Sequence, residues 1–203
     1  GRLFERDYAG LLEFTRLTCD LVRSIRRCRR PVVAALNGTV AGAGAVVASA
    51  CDVRVASESA KIAFLFTKVG LAGADMGASW LLPRLVGFGR ATELLMTGDF
   101  IGAQEAERIG LYNRVVPADR LLAEARALAE KLAAGPSFAL EMTKDLLNRE
   151  ASMDLASALE TLEQKCRALR QRKLDRLGRR TDRVAARSQP AAPPRCATRR
   201  ESP

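Results

Sequence analysis

The sequence predicts an α/β protein, because short apolar strands alternate with helices along the chain. Residues 31–36 are Val-rich and apolar and end at the turn signal Asn37-Gly38, which is typical of a buried strand. An apolar helix over residues 46–50 and a second strand over 53–56 are predicted directly after this turn. Helical patterns dominate the second half of the chain, so we expect a helical region to follow the strands.

The other predicted elements come from periodicity and turn residues. An amphipathic helix precedes the first strand, since apolar side chains recur at helical spacing from Tyr8 to Ile25. Further on, the pattern predicts a strand over 61–64, a loop that enters a helix near Asp75, and a short strand over 112–116. Gly or Pro separates several of the remaining predicted helices, which cover residues 89–97, 103–109, 121–133, 138–148, and from 152 past 164.

Length and composition favour one globular domain. The chain has 203 residues, of which 48% are hydrophobic, and this is enough for a substantial core. No run approaches the length of a membrane span, and no basic-then-apolar leader is present. We therefore expect a protein of the cytoplasm that does not contact membranes.

The absence of histidine restricts the possible chemistry. It removes the commonest general base, any Ser-His-Asp triad and most zinc sites. The five cysteines show no metal-ligand spacing, and their odd number argues against a disulfide framework. We expect reduced thiols and no bound metal.

Positive charge is concentrated at the end of the chain. Residues 165–203 carry 13 of the 33 Lys and Arg residues but only 3 of the 23 Asp and Glu residues. This segment is also rich in Ala and Pro, so we expect a basic tail with a helical start and a disordered latter half. Such a charge could bind nucleic acid, but the basic residues are not interleaved with stacking aromatics, which argues against this partner.

A possible binding feature lies at the start of the helix predicted over 46–50. The strand, the tight turn and the small residues 41–45 leave backbone N–H groups free at a helix N-terminus. Such groups suit a negative or developing negative oxygen. Close packing of small residues is the alternative explanation.

Three stretches resemble the crotonase, or enoyl-CoA hydratase/isomerase, superfamily. In the family's order, they are PVVAALNGTVAGAGAVVASACDVRVASESAKIAF, VGLAGADMGASWLLPRLVGFGRATELLMTG and IGAQEAERIGLYNRVVPADRLLAEARALAEKLA. The resemblance implies a ClpP/crotonase-like spiral of ββα turns followed by a helical C-terminal region. It also implies an acyl-CoA thioester as substrate, no cofactor other than the coenzyme A in that substrate, and assembly as homotrimers or hexamers.

The resemblance further implies a domain that is incomplete at its start. Residues 1–164 correspond to a partial acyl-CoA-binding domain, in which the family's first strands and the loop giving its first oxyanion N–H have no counterpart. The tail over 165–203 does not resemble the family's usual final helix. We expect a truncated start, and an altered end that a frameshift near Gln164 or a misjudged gene boundary would produce.

The same resemblance assigns residues to the substrate site. Ala43 corresponds to the position that supplies one of the two backbone N–H groups holding the thioester oxygen. Gly42 and Gly44 flank this position, and Leu71 and Gly73 belong to the substrate-binding segment further along the chain.

The positions of two catalytic glutamates carry other residues here. Hydratases of the family activate water with two glutamates, and the corresponding residues are Val46 and Phe66. Neither side chain can transfer a proton, so we expect both to line the acyl pocket and hydration to be disfavoured.

One carboxylate remains in the expected pocket wall, that of Asp75. Its position resembles that of an aspartate in dienoyl-CoA isomerases, and there it could shuttle a proton beside a thioester. The alternative is that Asp75 only caps a helix beginning at Met76.

Together, Asp75 and the apolar residues Val46 and Phe66 favour an enzyme that moves a proton or isomerises its acyl-CoA through an enolate. Two alternatives stay open: an inactive acyl-CoA-binding or assembly subunit, and nucleic-acid binding through the tail.

Overall fold

The computed structural model describes the backbone of residues 7–187 and the side chains of residues 7 and 9–171. The disorder expected for the latter half of the tail falls mostly beyond these residues. The chain divides after Arg149 into two compact units.

The first unit contains two three-stranded sheets. One sheet has the parallel order β1-β3-β6, built from Val33–Leu36, Val53–Ser57 and Arg114–Val116. The other has the order β2-β4-β5, built from Thr39–Ala41, Lys61–Ala63 and Ile101–Gly102. In this second sheet β2 and β4 are parallel, whereas β4 and β5 are antiparallel.

Successive turns of the chain stack on one another. β1 and β2 lie in different sheets and lead into α2 (Ala43–Ala50), and β3 and β4 repeat this path beside them before α3 (Ala78–Val86). Each strand of the first turn pairs in parallel with its equivalent in the second, with Val33 opposite Val53 and Thr39 opposite Lys61. The chain therefore advances as a spiral, and the predicted spiral of ββα turns is confirmed.

Helices make up much of the remaining structure. The remaining helices of the first unit are α1 (Tyr8–Arg27), α4 (Phe88–Thr97), α5 (Ala103–Arg108), α6 (Leu121–Ala133) and α7 (Ser137–Glu150). The second unit contains α8 (Leu155–Arg187), which runs through the predicted boundary at residue 164. The predicted helical C-terminal region is thus present. None of the helices in the described region has the length and apolarity needed to cross a bilayer.

The short helix α2 is enclosed by the main apolar core. From Ala45 onward its side chains are buried except for that of Val47, which is half-buried, while Ala43 and Gly44 at its start are exposed. Burial of the apolar side chains drives the helix into the core, since each buried methylene contributes about 0.8 kcal/mol. The core thus fixes the helix and leaves its N-terminus open to solvent.

Some element boundaries differ from those expected. The pattern does not predict β2, because Thr39–Ala41 is a three-residue segment that becomes a strand by pairing with β4. Helix α2 begins at Ala43 rather than at residue 46. Helix α3 begins at Ala78 rather than near Asp75, because the left-handed backbone of Gly77, with φ of +85°, separates it from the preceding turn.

Candidate functional site

Gly42 shapes the start of α2. Its backbone has φ of +54° and ψ of −121°, a conformation open to glycine and strained for other residues. Its N–H donates to the carbonyl of Ala63 in β4 over 3.0 Å, and its carbonyl accepts the N–H groups of Ala45 and Val46 over 3.0 and 3.2 Å. One glycine thus joins the helix to the sheet and turns the chain into the helix.

The next two backbone N–H groups point out of the helix start without an acceptor. In the part of the chain that the structure describes, neither Ala43 nor Gly44 has a recorded acceptor for its N–H, and no side chain caps α2. These are the N–H groups that a helix leaves unpaired, and they carry its partial positive charge. Ala43 is therefore exposed at an uncapped helix start, and its binding of an oxygen stays a prediction.

The opposite end of α2 is held by a buried arginine from β3. Arg54 is 3% exposed and donates hydrogen bonds to four backbone carbonyls: those of Leu111 at 2.7 Å, Ala48 at 3.3 Å, Ser49 at 3.4 Å and Cys51 at 2.6 Å. Burial lowers the pKa of its guanidinium. This role of Arg54 was not predicted from the sequence, although a charged residue inside the apolar strand VRVA is a signal that could have indicated it.

A second buried cation lies beside this helix end. Lys144 of α7 donates to Asp52 Oδ2 at 2.6 Å and to the carbonyls of Ile25 and Arg30, each at 3.1 Å. Asp52 Oδ2 also accepts the N–H of Val32 at 2.7 Å. The pair joins α7, the end of α1 and the entry to β1. The Asp52–Lys144 pair was not predicted from the sequence either, because the two residues are 92 positions apart in the chain.

Asp75 lies in a tight turn that packs against α1 and α2. Its Oδ1 accepts the N–H of Met76 at 2.8 Å, and Met76 has a φ of +53°. The carboxylate is partly exposed, whereas the Met76 side chain is 4% exposed. Asp75 therefore supports its own turn but does not cap α3, whose N-cap is Gly77. The expected helix beginning at Met76 is wrong for this reason.

Val46 and Phe66 both belong to the main apolar core. Val46 is 0% exposed and Phe66 is 5% exposed, and the buried side chain of Met76 lies in the same cluster. Their role in lining an acyl pocket stays a prediction. Apolar side chains at these two buried positions provide no group that could activate water.

The two other predicted substrate residues shape the loop before Asp75. The N–H of Leu71 donates to the carbonyl of Phe66 at 2.8 Å, which closes a turn. A Cβ atom at Gly73 would lie 2.9 Å from the carbonyl oxygen of Leu95, so only glycine lets this loop approach α4 so closely. Both residues fix the path of the chain toward Asp75.

A cavity of about 500 Å³ lies between the end of α1 and α7. Two acidic residues, Glu141 and Asp145, line it. Five basic residues also line it: Arg26, Arg27, Arg29, Lys144 and Arg149. Its lining includes none of the residues assigned to the substrate site. Within the described residues, no group of three or more Cys, Asp or Glu side chains is arranged to hold a metal ion.

Comparisons with known proteins agree on one family. Residues 6–179 match the model of the enoyl-CoA hydratase/isomerase family. The chain is 42% identical over 128 residues to a "probable enoyl-CoA hydratase" of Mycobacterium tuberculosis, a match that covers 63% of this chain and 45% of the relative. It is 38% identical over 140 residues to the 1,2-epoxyphenylacetyl-CoA isomerase of Escherichia coli, covering 69% of this chain and 53% of the relative.

Solved structures give the same result. A provisionally assigned enoyl-CoA hydratase from Streptomyces coelicolor A3(2) has 53% sequence identity and a TM-score of 0.78, and the match covers 82% of this chain and 60% of that one. The chain thus spans only 45 to 60% of the length of these relatives. Sequence, ββα spiral and open helix start together show that it belongs to the enoyl-CoA hydratase/isomerase family of the crotonase superfamily.

Proposed function

We propose that this chain forms the thioester-binding part of an enzyme that processes acyl-CoA thioesters, with the N–H of Ala43 holding the thioester oxygen. The observation that carries the proposal is the exposed, uncapped start of α2 behind Gly42, in a chain of this family. Coenzyme A enters as part of the substrate. The proposal includes assembly of the intact protein as homotrimers or hexamers, and a location in the cytoplasm.

The N–H of Ala43 would stabilise the reaction as charge develops. Removal of a proton from the carbon next to the thioester places negative charge on the carbonyl oxygen. An N–H that already points at this oxygen need not reorient during the reaction, and loss of one such donor typically costs on the order of 10² to 10³ in rate. The core encloses the rest of α2, so the donor is held in place before the substrate arrives.

Proton transfer or isomerisation fits the available side chains better than hydration. Val46 and Phe66 are apolar and buried, so neither can activate water. Asp75 is a partly exposed carboxylate in a turn that packs against α2. We propose that its free oxygen accepts the α-proton, leaving an enolate at Ala43, and returns the proton to carbon. One relative is named as an isomerase and another as a hydratase, so both classes occur among similar proteins.

An inactive acyl-CoA-binding or assembly subunit is the second candidate. One oxygen of Asp75 is already hydrogen bonded to Met76, and a carboxylate used only for the turn would leave the site without a base. This candidate predicts acyl-CoA binding without proton exchange.

Deuterium exchange at the α-carbon of butyryl-CoA in D₂O separates the two candidates. We expect the chain to exchange the α-protons and Asp75→Asn to abolish the exchange, since an amide keeps the hydrogen bond to Met76 but cannot accept the proton. Asp119→Asn is the matched control, because Asp119 is exposed in the turn before α6. Exchange that persists in Asp75→Asn would contradict the role of Asp75. Binding without exchange by the unmodified chain would favour the inactive subunit.

A further inference from the structure

The two ends of α2 are anchored in different ways. At its start, the backbone N–H of Gly42 bonds to β4. At its end, Arg54 reaches from β3 to the carbonyls of Ala48, Ser49 and Cys51. The same guanidinium donates a hydrogen bond to the carbonyl of Leu111, shortly before β6. Arg54 therefore connects the end of α2 both to β3 and to the segment that leads into β6. Helix α2 is therefore held by two successive strands of the spiral.

Arg54 is suited to this helix end because the last carbonyls of a helix have no intrahelical partner and carry partial negative charge. Helix α2 has no basic residue in its last turn. The nearby carboxylate of Asp52 is engaged by Lys144 and by the N–H of Val32. The positive charge of the buried Arg54 is therefore met by backbone carbonyls, and the guanidinium both satisfies and orients them.

The length of α2 couples its two ends. Its 8 residues span about 12 Å at the usual helical rise. A helix this short behaves as a rigid body, so a displacement of its last turn also moves or tilts its first turn. A misplacement of about 1 Å can cost on the order of 10² in rate at a site that depends on orientation.

We propose that Arg54 is a positioning residue that sets the direction of the Ala43 N–H through α2. This inference rests on the proposed function, in which that N–H holds the thioester oxygen.

The test compares three variants of the full chain. Arg54→Met removes the hydrogen bonds, and Arg54→Lys keeps a charge but not the fork of donors that reaches several carbonyls. The control is Leu121→Ala, since Leu121 is 2% exposed and lies in a separate apolar cluster with Val55 and Ala125. This control also lowers stability, but it does so without touching α2.

Two measurements are made on each folded variant. The first is the amide resonances of Ala43 and Gly44 in the protein without ligand, by ¹H–¹⁵N NMR. The second is the carbonyl stretching frequency of bound butyryl-CoA carrying ¹³C at the thioester carbon, by difference infrared spectroscopy. We expect both Arg54 variants to move the two amide resonances and to lose at least half of the downshift of the carbonyl frequency. Leu121→Ala should leave both unchanged while lowering the melting temperature.

The outcomes separate the inference from the function on which it rests. Unmoved amide resonances and an unchanged carbonyl frequency in the Arg54 variants would overturn the inference, and Arg54→Lys alone decides this if Arg54→Met does not fold. Equal changes of the amide resonances and of the carbonyl frequency in Leu121→Ala would also overturn it, because they would show that any loss of stability has the same effect as the loss of Arg54. A bound thioester without any downshift in the unmodified chain would refute the oxyanion role of Ala43, whereas the amide resonances would still show whether Arg54 sets the helix start.

Discussion

The ammonium group of Lys144 lies 2.6 Å from the carboxylate of Asp52, and the two side chains are 7% and 20% exposed. Asp52 directly follows the last residues of α2, whereas Lys144 belongs to α7, 92 residues later in the chain. This ion pair is one of several long-range contacts that hold α7 against the chain around the end of α1 and the end of α2. Its energetic importance can be measured directly.

Lys144→Met should strongly destabilise the first unit. The change removes the charge partner of a partly buried carboxylate and one donor to each of two backbone carbonyls, and breaking a buried pair in this way costs about 3 kcal/mol. Chemical denaturation should show a lower midpoint. Lys68→Met is the control, because Lys68 and Asp99 form a pair in which the side chains are 48% and 66% exposed. Such pairs contribute about 1 kcal/mol or less. Similar losses in both variants would contradict the importance of the buried pair.

Gly42→Ala should destabilise the chain and weaken acyl-CoA binding. At φ of +54° and ψ of −121° a Cβ atom is strained, by about 1 to 3 kcal/mol, even though it would meet no atom within 4 Å. Relief of that strain would shift the start of α2 and the N–H of Ala43. Gly38→Ala is the matched control for Gly42→Ala, since a new Cβ atom at Gly38 also has open space around it but Gly38 has no positive φ. We expect titration with butyryl-CoA to show weaker binding, and thermal melting to show a lower melting temperature, for Gly42→Ala and not for Gly38→Ala.

Two glycines near α4 should respond in opposite directions to replacement by alanine. Gly73→Ala places a Cβ atom 2.9 Å from the carbonyl oxygen of Leu95, so the loop must move away from α4. Gly89→Ala meets no atom within 4 Å and lies inside α4, where alanine should add about 0.5 to 1 kcal/mol. We therefore expect a lower melting temperature for Gly73→Ala and a higher one for Gly89→Ala. A stable Gly73→Ala would show that the close approach of the loop is not required.

Tyr112 should make stability fall at high pH. Its side chain is 2% exposed, its hydroxyl has no hydrogen-bond partner among the residues that the structure describes, and burial raises its pKa to about 12. The unfolded chain releases this proton near the ordinary pKa of about 10, whereas the folded chain retains it. The contribution to stability is therefore complete below pH 10 and declines as the pH rises toward 12, by roughly 3 kcal/mol in total.

Tyr112→Phe tests this linkage. The substitution removes the unpaired hydroxyl, so we expect equal or slightly higher stability at neutral pH. Denaturation curves of the two proteins should then diverge steadily between pH 10 and 12, because titration of the other groups is common to both. Parallel pH profiles would show that the Tyr112 hydroxyl titrates normally or has an unseen partner.

A helix after the Asn37-Gly38 turn could be predicted from local residues, whereas its beginning at Ala43 and its supports could not. Asn37-Gly38 and the small residues through Gly44 indicate a turn and a helix N-terminus, because these preferences depend on neighbours in the chain. Asp75 illustrates the limit. Its capping role was open from the sequence, and the positive φ of Met76 and Gly77 decides that it supports its own turn and leaves α3 to begin at Ala78.

The amino-acid sequence by itself determined the family, the alternation of strands with helices, the absence of histidine chemistry, and the apolar residues at Val46 and Phe66. These are properties of residue types and of short-range periodicity. Only the tertiary structure decided that β2 is a strand, that Arg54 donates hydrogen bonds to the carbonyls at the end of α2 and that Lys144 pairs with Asp52. Each of these depends on groups that are brought together when distant segments pack, and burial makes such hydrogen bonds and charges matter more than local propensity.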